Sequence, residues 1–171
     1  MISRLSATIT FLLTMSGHAT RAQVRFIEGT YRNPAEGYSV KIPRGLKGKT
    51  GNQAGPERGV SIALPSGGTI SVFGEPNSLE WATPEEGVTS ATAGPDCTSE
   101  KPVAQPAQVG KLRGSQTTYI CGDRVVTLVL AFRPRGGPIY WFRLDTTPAH
   151  KSEDEAILSR LRGGFRLIPW Q

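Results

Sequence analysis

The chain has 171 residues, a formal net charge of +6, 20 glycines, 13 prolines, two cysteines and two histidines. That is the size of one domain, long enough to bury a core without staples. It leaves too few histidine and cysteine ligands for a zinc site once the cysteines are paired.

Arg4 precedes a mostly apolar stretch, Ala7 to Met15, and small residues lead on to Thr20-Arg21-Ala22-Gln23. A basic tip, a short apolar core and a small-residue cleavage site form the layout of a secretory signal peptide. The core is far shorter than the roughly 20 residues of a spanning helix. Residues 1–22 are therefore read as a signal peptide cleaved after Ala22, with Ala19 as the alternative. Residues 23–171 are read as a single periplasmic or secreted domain with no transmembrane segment. Cleavage removes two positive charges, Arg4 and Arg21, and no acid, taking +6 to +4.

Residues 24–32, with Val24, Phe26 and Tyr31, predict a first strand. Asn33-Pro34-Ala35-Glu36-Gly37 is turn chemistry. Tyr38, Val40 and Ile42 then alternate with Ser39 and Lys41, the period-2 mark of a half-buried strand, and Pro43 stops it. Residues 44–58 are basic, glycine-rich and aperiodic, and are expected to form a mobile loop. Val60, Ile62 and Leu64 alternate again, Pro65-Ser66-Gly67-Gly68 turns the chain, and Ile70 and Val72 return it as a hairpin. Ser78 to Trp81 could open one helical turn. Thr83-Pro84-Glu85-Glu86 predicts a short helix, with Thr83 as N-cap and Val88 and Ala91 facing inward. Residues 96–106 are expected to be a loop holding Cys97.

Thr117 to Cys121 predicts a strand and Gly122-Asp123 a tight turn. Val125 to Phe132 is a nearly continuous run of apolar β-formers, the composition of a central strand covered on both faces. Residues 139–144 form the next strand. Ser152-Glu153-Asp154-Glu155 reads as a capping box. Ile157, Leu158 and Leu161 supply an apolar stripe, and Gly163-Gly164 ends the helix before a last strand, Phe165 to Ile168. The fold class is α+β: a mainly antiparallel sheet with one well-capped C-terminal helix and a second, short helix.

Two segments, Tyr31-Arg32-Asn33-Pro34 through Gly37-Tyr38-Ser39-Val40-Lys41-Ile42-Pro43, and the ending from strand 139–146 through helix 152–162 to Gly164-Phe165-Arg166-Leu167, carry a family resemblance. Together they resemble the PsbP/Mog1-type fold of small bacterial envelope proteins and of accessory proteins in photosynthesis and nuclear transport. The resemblance implies an antiparallel sheet flanked by helices and a non-catalytic, accessory or binding role. Folds of this kind host unrelated functions, so the site must decide.

Cys97 and Cys121 are the only cysteines, and in an oxidising compartment an even pair reads as a disulfide. His150 is the one histidine beyond the signal peptide, and no G-x-S-x-G elbow accompanies it. Glu85-Glu86 and Glu153-Asp154-Glu155 are candidate carboxylates for a hydrolase, although both clusters sit where helix N-termini attract acids. Gly45-Leu46-Lys47-Gly48-Lys49-Thr50 approaches a phosphate-binding P-loop, but Pro43 stands where that motif needs its first glycine.

The binding candidates are Lys41, Arg44, Lys47, Lys49 and Arg58, faced only by Glu57 in this stretch. Flexible basic loops hold anionic polymers or lipid head groups. The leading expectation is a non-enzymatic envelope protein that binds another envelope protein or an anionic surface, without cofactor, metal or nucleic acid. The alternatives are an inhibitor or immunity protein against a secreted enzyme, and a carboxylate-dependent hydrolase.

Overall fold

The computed structural model describes residues 24–51, 59–91, 94, 97–98, 103–134 and 136–169. The expected signal peptide lies outside them. Among the described residues twelve strands and two α-helices follow in order. The first six strands are β1 (Arg25–Ile27), β2 (Thr30–Asn33), β3 (Tyr38–Lys41), β4 (Gly48–Thr50), β5 (Gly59–Ala63) and β6 (Thr69–Pro76). After α1 (Pro84–Ser90) come β7 (Cys97–Thr98), β8 (Gln105–Val109), β9 (Leu112–Cys121), β10 (Arg124–Phe132) and β11 (Pro138–Thr146). A 3-10 turn, Pro148–His150, leads into α2 (Lys151–Gly163), and β12 (Phe165–Leu167) closes the described chain.

Nine strands form one sheet in the order β1-β4-β5-β6-β11-β10-β9, with β7 and β8 both pairing the outer edge of β9. The other three form a small sheet, β12-β3-β2. Every pairing is antiparallel. The α+β expectation therefore holds.

The large sheet separates two apolar layers. On one face Val129, Phe142 and Leu144 pack with Tyr38, Val40 and Phe165 of the small sheet and with Leu158 and Leu161 of α2. On the other, Leu128, Leu130, Trp141 and Tyr119 pack with Val88 of α1. Alternate residues of β10 thus enter opposite layers, which is why its sequence is apolar at nearly every position. Thr127, the polar residue within the run Val125 to Phe132, is buried against the Thr118 hydroxyl at 3.2 Å.

The α1 start is as its sequence predicts: Pro84 opens the helix and the Thr83 hydroxyl accepts from the Glu86 N–H at 3.2 Å. The α2 start is not. The helix begins at Lys151, His150 is its N-cap without a side-chain bond, and Ser152 is exposed inside the first turn. The expected Ser152 capping box is absent because the preceding 3-10 turn already supplies the helix entry.

Four other expectations change. Residues 24–32 form two strands, not one: Gly29, at φ 78°, breaks the run and sends β1 to the large sheet and β2 to the small one. The expected loop at 44–58 contains β4, held between β1 and β5. The expected loop at 96–106 contributes β7 and the start of β8. Ser78 to Trp81 is a turn, closed by the Asn77 side chain, which donates to the Trp81 carbonyl at 2.8 Å and accepts from its N–H at 3.1 Å.

Candidate functional site

Four of the five basic residues singled out above, Lys41, Arg44, Lys47 and Lys49, line adjoining clefts beside β4. Lys41 ends β3, Arg44 stands in the following turn, and Lys47 and Lys49 flank Gly48 at the start of β4. Arg58 lies outside the described residues. Lys41, Arg44 and Lys47 line a cleft of about 280 Å³ together with Glu28. Lys47 and Lys49 line an adjoining cleft of about 540 Å³. The two clefts share Gly45, Leu46 and Lys47, so one short turn forms a wall of each.

Glu28 is the acid on this rim, 3.1 Å from the Lys47 ammonium, and both side chains are well exposed. Such a pair contributes little to stability. Among the described residues no ion pair engages Lys41, Arg44 or Lys49. Among the described residues the clefts therefore present cations in excess of acids.

The larger cleft is built from residues that the sequence reading passed over. Phe26 of β1 pairs with Lys49 of β4, and Lys49 with Ser61 of β5, so the three side chains share one face of the sheet. Ser61 in turn opposes Ser71, and Ala63 opposes Thr69. Ser61, Ala63 and Thr69 make a floor of small side chains, with Phe26 as one wall. Elsewhere this face is covered by α1, which packs on β9 and β10. The available sequence signal was the outward half of β5 and β6: Ser61, Ala63, Thr69 and Ser71 alternate with buried Val60, Ile62, Ile70 and Val72.

The candidate carboxylates do other work. Glu85 accepts from the Ser115 hydroxyl at 3.1 Å. Hydrogen bonding to its own backbone amide, and then to Ser115, holds its carboxyl below the usual range against partial desolvation. Glu86 accepts from the Ala82 N–H at 2.8 Å and secures the start of α1. Glu153 and Glu155 lie beside His150 and Lys151 at 4.0 and 3.7 Å. Asp154 is fully buried and accepts from Ser66 and Thr146. None of these acids lines either cleft. Among the described residues no group of three His, Cys, Asp or Glu side chains is placed to hold a metal ion.

Cys97 and Cys121 are directly opposed on β7 and β9 and form a disulfide. It ties the segment after α1 to the edge of the large sheet. No described helix is long and apolar enough to cross a membrane.

No protein-family model matches the sequence, and no curated protein matches it. The solved structures that match it include two named proteins. One is a cyanobacterial PsbP protein, CyanoP, from Synechocystis, 16% identical, with a TM-score of 0.54 over 91% of this chain and 98% of that one. The other is LpqN, involved in cell envelope biogenesis of Mycobacterium tuberculosis, 13% identical, with a TM-score of 0.48 over 89% of this chain and 88% of that one. The likeness to CyanoP shows a PsbP-like fold, as the sequence motifs implied.

Proposed function

We propose that this protein is an extracytoplasmic accessory protein of the cell envelope that binds anionic groups through the two basic clefts. The observation that carries the reading is the convergence of Lys41, Arg44, Lys47 and Lys49, from the end of β3 through β4, on adjoining clefts with Glu28 as their acid. Ammonium and guanidinium groups focused on a concave surface raise the local concentration of anions. The extracytoplasmic placement is supported by the signal-like first 22 residues and by the Cys97–Cys121 bond, since disulfides form and persist mainly in oxidising compartments. The non-catalytic character rests on the structural hydrogen bonds of three of the candidate carboxylates, Glu85, Glu86 and Asp154.

The test is calorimetric titration with polyphosphate at low and moderate salt. Binding should weaken as salt shortens the screening length, about 10 Å at 0.1 M. The triple variant Lys41→Gln/Arg44→Gln/Lys47→Gln should lose most of the affinity. Undiminished binding in that variant, with an unchanged melting temperature, would refute the reading.

A further inference from the structure

The larger cleft carries features that a general attraction for anions does not use. Phe26 is 72% exposed, the second most exposed of the large apolar side chains described, yet it does not stand on a featureless surface. It rises beside the Lys49 side chain on the next strand and over a trough floored by Ser61, Ala63 and Thr69. Leu46 and Pro65 add further apolar lining. Ser61 shares its hydroxyl with Ser71 at 3.2 Å, whereas Thr69 makes no hydrogen bond through its hydroxyl to any described residue. Aromatic wall, small hydroxylated floor and flanking ammoniums are thus presented side by side, and a concave site with apolar lining and a few placed polar groups is the general form of a ligand pocket.

We infer that the trough binds an acidic saccharide: a sugar ring laid against Phe26, its carboxylate or sulfate held by Lys47 and Lys49. This rests on the anion-binding reading of the clefts and names the class of ligand. The chemistry matches at each point. The apolar C–H face of a pyranose ring covers the exposed aromatic ring and removes both from water. Ring hydroxyls meet Thr69 and Ser61. The substituent charge meets ammoniums that no described acid neutralises apart from Glu28. A flexible linear polyanion satisfies only the last of these. The width of the floor favours one ring: Ser61, Ala63 and Thr69 span two adjacent strands, about 5 Å apart.

The experiment titrates the full chain with oligogalacturonate, with a neutral oligosaccharide of the same ring number, with polyphosphate, and with vesicles containing phosphatidylglycerol. Phe26→Ser is the variant, because a side chain so exposed adds little to folding; its melting temperature serves as the control. Oligogalacturonate should bind at least tenfold more tightly than the neutral oligosaccharide. Phe26→Ser should lose at least tenfold for oligogalacturonate, and several-fold more than it loses for polyphosphate. If oligogalacturonate and polyphosphate bind equally and Phe26→Ser alters neither, the saccharide inference fails while the anion-binding reading stands. If no polyanion binds, both fail. If only the vesicles bind in a Phe26-dependent way, the ligand is a lipid surface and the saccharide inference is overturned.

Discussion

Ser66, in the turn between β5 and β6, donates its hydroxyl to Asp154 at 2.7 Å, across 88 residues of sequence. Thr146, at the end of β11, donates to the same carboxylate. Asp154 is fully buried in the first turn of α2, so this one side chain ties the helix to a hairpin and to the centre of the sheet.

Losing the acceptor strands the fully buried Thr146 hydroxyl and the half-buried Ser66 hydroxyl, each at a cost of about 1–3 kcal/mol. Asp154→Ala should therefore lower stability by about 3 kcal/mol or more. Glu153→Ala, one residue away and exposed, should stay within about 0.5 kcal/mol. Thermal unfolding followed by circular dichroism compares them. Equal small losses would show that Asp154 does not anchor the helix.

The inner face of α2 gives a second comparison. Leu161 is completely buried, and Ile157 and Leu158 nearly so, in the layer that includes Val129 and Ala131 of β10. Truncating such a leucine costs about 2–5 kcal/mol. Leu161→Ala should melt at a markedly lower temperature, while Arg160→Ala on the exposed side should melt near the parent.

Gly87 tests packing against intrinsic helix preference. A Cβ there would lie 2.2 Å from Leu130 Cδ2 and 3.0 Å from Trp81 Cε3. Alanine is favoured over glycine inside a helix by about 1 kcal/mol, but forcing a methyl into a filled core costs about 1–3 kcal/mol. Gly87→Ala should destabilise. A gain in melting temperature would mean that α1 sits less tightly on β10 than described.

The disulfide predicts that no thiol reacts with maleimide before reduction. Closing the loop between residues 97 and 121 contributes roughly 3 kcal/mol in the chain-entropy model. Cys97→Ser/Cys121→Ser should lose a stability of that order in denaturant titration.

Burial raises the phenol pKa of all four tyrosines, Tyr31, Tyr38, Tyr119 and Tyr140, with Tyr38 raised most. In the unfolded chain they ionise near pH 10. Because the folded values are higher, their contribution to stability is complete below about pH 10 and is lost as pH rises above it. Stability should fall above about pH 10, and phenolate absorbance should appear together with loss of circular dichroism. A tyrosine that titrates near pH 10 while the protein stays folded contradicts this.

Much of this was legible in the chain. The alternation of Val60, Ile62, Ile70 and Val72 with small polar residues marked both strands and their faces, because side chains in a strand alternate sides with period 2. The α1 start was legible because Thr83 and Pro84 act on their immediate neighbours. The basic residues of the candidate site were legible as composition. Phe26 as their companion was not, because the β1–β4 pairing that sets it beside Lys49 joins residues 23 positions apart.

By itself the sequence determined the α+β class, the central position of β10, the apolar stripe of α2 and the pairing of its only two cysteines, since each depends on local spacing or on residue count. Only the tertiary structure decided the rest. Gly48, Lys49 and Thr50 carry no strand pattern. They become β4 because Gly48 lets the chain pass close to Val60, where a Cβ would lie 2.5 Å from Val60 Cγ2. Gln105 to Val109, with proline and polar residues among them, become β8 through pairing with β9. Hydrogen bonds between strands join residues distant in sequence, so strand partners, and the cleft they enclose, follow from the whole packed chain rather than from any one segment.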